Sequence, residues 1–407
     1  MSTYSLRSRW VLPVDGPPLR DGVVSVCDGK IITVEQTSVS TRPTEDLGDV
    51  ILLPGLVNAH IHLEFSDCTR PLGKPAMLLS DWIRQVIGTR KRGDRDTARA
   101  IQVGLTESLN VGVTTLGEIA TSSPTAFGEY RGSNLLAFEE VIGFSAGRTH
   151  SILHDIRQRL QRSLACETLC RVGLSPHAPY TVHPELLRQL VETACELELP
   201  VAMHLAESRE ELELLSSGSG PFQQLLADRS MWDPDAIAPG SKPMDYLRIL
   251  AEAPRALVIH GNYLTDGEIG FLAQQCRHMS LVYCPRTHAY FDHEPYPLER
   301  MLATGVRVAV GTDSRASNPD LSLLSELRWI AEQYPTIPAA TILQLGTLSG
   351  AEALGLSADT GSLTPGKWLD MIAVPCPADV DPYEVLLHSD ASPQSVWIRG
   401  ARLELAH

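Results

Sequence analysis

Ile51-Leu52-Leu53-Pro54-Gly55-Leu56-Val57-Asn58-Ala59-His60-Ile61-His62-Leu63-Glu64-Phe65-Ser66 is the stretch that decides the fold. An apolar run passes a Pro-Gly break and ends in His-x-His. Alternate side chains of a β-strand share a face, so a strand here aims His60 and His62 the same way. Paired imidazoles suit zinc or iron, but two do not complete a site, and further ligands must come from elsewhere. Alone, the pair also fits a solvated edge strand; the rest of the chain decides.

Downstream of this stretch, apolar strand-like runs alternate with helical patterns, the signature of a parallel sheet covered by helices. The strands are expected at Leu53–Ala59, Thr114–Glu118, Leu135–Val141, Cys170–Ser175, Val201–His204, Ala256–His260, Ser280–Tyr283 and Arg307–Gly311. Helices are expected at Asp94–Asn110, His150–Ala165, Pro184–Glu198, Asp266–Gln275, Leu298–Thr304 and Leu321–Gln333. This alternation predicts an α/β fold, a (β/α)8 TIM barrel, whose chemistry sits at the C-terminal strand ends. A doubly wound open sheet competes, but its Gly-rich phosphate fingerprint after the first strand is absent. Upstream, short strands separated by Asp15-Gly16-Pro17-Pro18 and Asp28-Gly29 form a small β element. The C-terminus repeats that texture, so both ends are expected to build one β-sandwich. The expected division is 1–53 and 361–407 for the sandwich and 54–360 for the barrel. Residues 216–246, rich in Gly, Ser, Pro and Asp, read as an insertion after the fifth strand, either a lid or a contact in a homo-oligomer.

The chain has 407 residues, 43% of them hydrophobic, and a formal charge of −15. That length supports a sizeable core, and the acidity with no basic stripe argues against nucleic acid or an anionic membrane as partner. Eight cysteines lie scattered without Cys-x-x-Cys pairs, which favours reduced thiols; Cys166 and Cys170 alone are spaced to share a helical face. The N-terminus has no apolar leader and no run is long enough to span a membrane, so a cytoplasmic enzyme acting on a small molecule is expected.

Polar residues cluster where each strand stops: His60 and His62, Glu118, Glu139 and Glu140, His177, His204 with Glu207, His260, and Asp313. His60, His62, His204 and Asp313 supply three imidazoles and a carboxylate, a set suited to one divalent ion, Zn²⁺ or Fe²⁺, with a position left for water. Glu207, in Met203-His204-Leu205-Ala206-Glu207, is placed by the turn near the metal without ligating it and is the expected proton donor to a leaving amine. As an alternative it is an acidic first-turn residue of the next helix. His260 is expected to orient the attacking oxygen or stabilise charge on it, or else to be a core histidine. Asp313 doubles as acceptor of the water's proton. Glu64 either reaches substrate hydroxyls and amines or braces a ligand histidine. Arg148, after the third strand, either meets an anionic substrate group or is a solvated loop arginine.

Pro54-Gly55-Leu56-Val57-Asn58-Ala59-His60-Ile61-His62, Ser175-Pro176-His177-Ala178-Pro179-Tyr180, His204-Leu205-Ala206-Glu207, His260 and Gly311-Thr312-Asp313-Ser314 together resemble the amidohydrolase superfamily, in its aminohydrolase branch of deaminases and triazine chlorohydrolases. The resemblance spans nearly the whole chain. It implies His60, His62, His204 and Asp313 as ligands of one metal ion, Glu207 and His260 as proton-transfer residues and His177 as a substrate contact. Within the branch, His62-Leu63-Glu64-Phe65-Ser66, Glu207-Ser208-Arg209-Glu210-Glu211 and Ser317-Asn318-Pro319-Asp320 are similar to aminodeoxyfutalosine deaminases of menaquinone biosynthesis and to S-adenosylhomocysteine deaminases. The chain departs from the branch after strand seven. Cys284-Pro285-Arg286-Thr287-His288 stands where Cys-Pro-x-Ser-Asn is usual, so the pocket wall differs there, and His288 is taken as a substrate contact.

The expected reaction is hydrolytic deamination of a cyclic amidine, an aminopurine nucleoside, with ammonia as product. Removal of a halide or opening of a ring amide uses the same machinery. Binuclear chemistry through a carboxylated lysine is disfavoured, because residues 171–179 contain no lysine. A barrel scaffold that has lost catalysis would be expected to have lost Glu207 or His260; both are present.

Overall fold

The computed structural model describes residues 3–37, 43–91, 93, 95–121, 134–165, 170–403 and 405; Asp94 and Cys166 lie outside them. The N-terminal strands are β1 (Thr3–Val11), β2 (Leu19–Cys27), β3 (Lys30–Gln36), β4 (Glu45–Asp46) and β5 (Val50–Pro54). The next eight are β6 (Leu56–Ile61), β7 (Val113–Ala120), β8 (Asn134–Val141), β9 (Cys170–Pro176), β10 (Val201–Leu205), β11 (Ala256–His260), β12 (Met279–Tyr283) and β13 (Val308–Val310). The last three are β14 (Met371–Pro375), β15 (Ser395–Ile398) and β16 (Ala401–Leu403).

β6 to β13 pair in sequence order, all parallel. Parallel strands covered on both faces read as continuous apolar runs, and every residue of β7, β10, β11 and β12 is buried. The ring closes between its first and last strands by a parallel bridge of Ile61 to Asp313. Asn58 reinforces that seam: its Nδ2 donates to Thr312 Oγ1 at 2.8 Å, and its Oδ1 accepts the Thr312 N–H at 3.2 Å. Val57, Ala59, Phe138, Ala202, Ile259 and Val282 fill the interior, joined by Leu354 from the helix Leu348–Leu354. The expected (β/α)8 barrel is the observed fold.

The two chain ends build a second sheet in the order β16-β15-β14-β5-β1-β2-β3, with β4 paired to β1. Its core unites N-terminal Leu6, Val24 and Leu52 with C-terminal Leu369, Met371 and Trp397. Neither end alone has the strands to bury such a core. The structure corrects the expectation of a single strand over Leu53–Ala59. Leu53 and Pro54 pair with Ile372 and Met371 in the terminal sheet, and the barrel strand starts at Leu56. Gly55 makes the crossing, since a Cβ there would lie 2.1 Å from Thr114 Oγ1. The C-terminal segment also contains a helix, Pro382–His388, docked through the Arg328 guanidinium on the Leu386 carbonyl. No helix among the described residues is long and apolar enough to cross a membrane.

Candidate active site

Four strands deliver the metal-ligating candidates and His260 to one mouth. His60 lies at the end of β6 and His62 just beyond it; His204 is on β10, His260 ends β11 and Asp313 follows β13. The ring of His60 lies 4.8 Å from that of His62, 4.9 Å from His204 and 5.7 Å from His260. Asp313 Oδ1 is 3.7 Å from His60 Nε2 and 3.6 Å from His62 Nε2. Ligand atoms of His60, His62 and Asp313 form one compact cluster, and those of His60, His204 and His260 a second that shares His60.

Neighbours fix several of these groups. His204 Nδ1 pairs with the His177 carbonyl at 2.9 Å, which sets it as the N–H and leaves Nε2 with its lone pair. Ser317 Oγ donates to Asp313 Oδ2 at 2.7 Å and is itself 3.0 Å from Thr287 Oγ1. His260 and Asp313 hold φ of 68° and 56°, and Ala206, just before Glu207, 53°. Left-handed backbone at non-glycine residues is a strained conformation that surrounding structure must maintain, and such strain gathers at functional sites.

Burial, then neighbouring imidazoles, pushes His62 and His204 well below the ordinary histidine range; burial does the same to His260, whose opposing pull is the Asp313 charge. Burial works against ionisation of Asp313, yet the imidazoles of His60, His62 and His260 around it hold its carboxyl well below the usual range. A carboxylate among neutral imidazoles is the protonation state a cation requires. Both ring nitrogens of His60 and Nδ1 of His62 are buried without a hydrogen-bond partner among the described residues. Orphaned buried nitrogens are costly, and His60 Nε2 and His62 Nε2, both beside the Asp313 carboxylate, fit a divalent metal.

Glu207 sits beside this cluster, its Oε1 3.3 Å from His260 Nε2 and its Oε2 3.5 Å from the Tyr180 hydroxyl. Burial first, and the Asp313 charge second, raise its carboxyl well above the ordinary value. Both influences favour its protonated form, the form a proton donor needs. His177, half-buried on the same wall, is pushed down to about 3 by burial and pairs through Nδ1 with Thr181 Oγ1 at 2.7 Å.

The cleft over these residues spans about 1040 Å³, its open mouth included, and is lined at depth by His62, His177, His204, Glu207, His260 and Asp313. Three residues expected to meet substrate are absent from that lining. Arg148 is exposed in a turn before the helix Thr149–Leu164. His288 is buried among Tyr283, Tyr296 and His293. Glu64 is in a 3-10 turn past the end of β6, where Arg90 Nη2 binds it at 2.6 Å.

Sequence reasoning overlooked the helix Leu79–Arg90, which supplies Trp82, Ile83 and Ile87 to the cleft, although its apolar i, i+4 spacing was a legible signal. It also overlooked Glu211, for which Ser208-x-x-Glu211 matches a capping box. The insertion at 216–246 reaches the cleft through the helix Pro221–Asp228 and Met231, and stacks Phe222 on Tyr180 at 4.0 Å.

The amidohydrolase family profile matches residues 51–403. A 5-methylthioadenosine/S-adenosylhomocysteine deaminase of Nitratidesulfovibrio vulgaris is 30% identical over 384 residues, covering 89% of this chain and 79% of that one. An adenosine deaminase from Xanthomonas campestris, solved with bound zinc, superposes with a TM-score of 0.78 at 25% identity over 98% of this chain and 92% of that one. Helicobacter pylori aminofutalosine deaminase, in complex with methylthio-coformycin, shares the fold with a TM-score of 0.85 at 22% identity, covering 98% of this chain and 100% of that one.

Proposed function

The chain belongs to the amidohydrolase family, and from that membership we propose that it is a metal-dependent hydrolytic deaminase that replaces the ring amine of an adenosine-type nucleoside with oxygen and releases ammonia. One observation carries this reading: the buried Glu207 carboxyl, raised well above its ordinary value, lies 3.3 Å from His260, which shares His60 with the compact cluster of His60, His62 and Asp313. A structural metal site needs no such proton carrier. The 30% identical relative is named for adenosine-type substrates, which supports that class. Within it, aminodeoxyfutalosine is the first compound to try, on the motif resemblance around His62, Glu207 and Ser317. Residues 54–360 are taken as the catalytic unit and 1–53 with 361–407 as its flanking β unit.

His60, His62, His204 and Asp313 would hold the ion, zinc or iron. When bound, such an ion acts as a Lewis acid that brings the pKa of a water toward neutrality. The protein's own groups do the rest. Glu207 takes a proton from the attacking water and passes it to the ring nitrogen next to the reacting carbon, while the water's oxygen bonds to that carbon. His260 orients the oxygen and stabilises charge developing on it. The proton remaining on the new hydroxyl passes by way of Glu207 to the amine, the C–N bond breaks and ammonia leaves. His177 contacts the substrate from the wall it shares with Tyr180.

The test is metal analysis of the purified chain with an ammonia-release screen over adenosine nucleosides, other aminopurines, aminopyrimidines and triazines. Ammonia from adenosine nucleosides at one metal per chain is the expected result. Chloride release from a chlorotriazine without deamination of any nucleoside would overturn it.

A further inference from the structure

We infer that Arg286 and Thr287, in the segment after β12 where the chain departs from its branch, are positioning residues that fix the Asp313 carboxylate from behind the cleft and leave Oδ1 as the oxygen facing the imidazoles. The inference rests on the proposed role of Asp313 as a metal ligand and assigns what holds that ligand. Neither residue lines the cleft, and neither do Ser317, Asn318 and Glu326, through which they act. His288, the next residue, turns away among Tyr283, Tyr296 and His293.

Thr287 acts on the carboxylate itself. An ionised carboxylate only accepts, so the Ser317 hydroxyl directs its one proton to Asp313 Oδ2, at 2.7 Å. Toward Thr287 Oγ1, 3.0 Å away, Ser317 Oγ is then the acceptor and Thr287 the donor. Both hydroxyls are buried, so water does not compete for them. With Oδ2 held in this way, Oδ1 lies 3.7 Å from His60 Nε2 and 3.6 Å from His62 Nε2. Arg286 acts on the backbone one residue earlier. Its guanidinium forks onto both Asp320 oxygens at 3.0 and 2.6 Å, while its Nε and its backbone N–H bind the buried Glu326 at 2.7 and 2.9 Å. Glu326 Oε1 also accepts from Asn318 Nδ2 at 2.6 Å, and that same nitrogen donates to the Thr312 carbonyl at 2.8 Å. Asp313 follows in its left-handed conformation, which surrounding contacts must maintain.

The experiment measures zinc affinity of the full chain by competition with a chelator, and the visible spectrum of the cobalt-loaded chain. Thr287→Val keeps the shape of the side chain but removes the donor; it is expected to weaken zinc roughly tenfold, and Ser317→Ala roughly ten- to a hundredfold, as for residues that brace a ligand. Thr287→Ser should bind as the wild type does. The double variant Thr287→Val/Ser317→Ala should bind as Ser317→Ala alone, because Thr287 acts through Ser317; a residue that merely packs would give additive losses. Arg286→Lys keeps the charge but not the fork, and should weaken zinc severalfold. The cobalt spectrum should change in Thr287→Val, where the freed carboxylate alters its coordination, and return in Thr287→Ser. Wild-type zinc affinity in Thr287→Val or Arg286→Lys, or additive losses in the double variant, would overturn the inference. The expected zinc losses in a chain that deaminates no nucleoside would sink the functional reading and leave this inference standing, whereas a wild-type chain that binds no zinc, iron or cobalt would remove both.

Discussion

Glu211 holds Glu207 in place through the backbone: its two carboxylate oxygens accept the N–H of Glu207 at 3.0 Å and of Ala206 at 2.7 Å. Ser208 caps the same turn by accepting the Glu211 N–H at 3.3 Å. The turn between β10 and the helix Arg209–Ser217 is therefore clamped where Ala206 adopts its left-handed conformation and where the chain passes from His204 to Glu207.

Glu211→Gln keeps the size of the side chain but offers one accepting oxygen in place of two, so one buried N–H loses its partner, at a cost of about 1–3 kcal/mol. The expected outcome is a fall in kcat with metal content retained, because the change reaches the chemistry only by displacing Glu207. Burial pushes the Glu211 carboxyl up to about 7 against the two N–H donors that lower it. A folded-state pKa raised above the unfolded one makes wild-type stability decline as pH rises from the ordinary carboxylate range toward 7. The variant should flatten that part of the pH–stability curve; an unchanged curve with unchanged kcat would refute the clamp.

Glu207→Gln should retain fold and metal while slowing the chemical step by at least ~10²-fold, the low end for general acid–base catalysis. His204→Ala should lose metal as well as activity. Single-turnover ammonia release paired with metal analysis separates the two, and a Glu207→Gln variant that turns over normally with metal bound would rule out the proton-carrier role.

Gly311 packs against His60 so closely that a Cβ would lie 2.8 Å from the His60 carbonyl oxygen and 2.8 Å from its Cβ. Gly311→Ala should push β13 from β6 at the seam where Ile61 bridges Asp313, separating ligands on the two strands. A marked drop in metal content and thermal stability is expected; wild-type metal affinity would show that the seam adapts.

Arg90 stands between Glu64 at 2.6 Å and Glu140 at 3.7 Å, both nearly buried. Arg90→Met leaves those carboxylates without their cation and should cost a few kcal/mol, ~3–5 where such a pair is fully buried. Burial already raises Glu140, with Arg90 as the leading opposing influence. Without Arg90 its folded-state pKa climbs further, so the destabilisation should be smallest below the ordinary carboxylate range and grow as pH rises above it. Thermal melts at several pH values check this. A loss independent of pH would point to the stacking of the Arg90 guanidinium over Phe65 instead.

The barrel was legible because its signals are local. A strand buried on both faces must be apolar along its whole length, so the runs at Thr114–Glu118, Val201–His204 and Ala256–His260 identified β7, β10 and β11 to within a few residues. In a parallel barrel the polar residue at a strand's C-terminal end faces a common mouth, and that rule alone gathered His60, His62, His204, His260 and Asp313. The sequence could not tell which other polar residues reach the cleft. Arg148 and His288 also follow strands, yet one is solvated and the other packs among aromatic rings, because loop direction depends on contacts with distant elements. Glu64 depends on Arg90, Asp313 on Ser317, and the apolar lining of the cleft on two helices brought together by Arg84 and Asp228. Periodicity encodes which face of an element is buried; what that face is buried against is a non-local choice, and only the tertiary structure makes it.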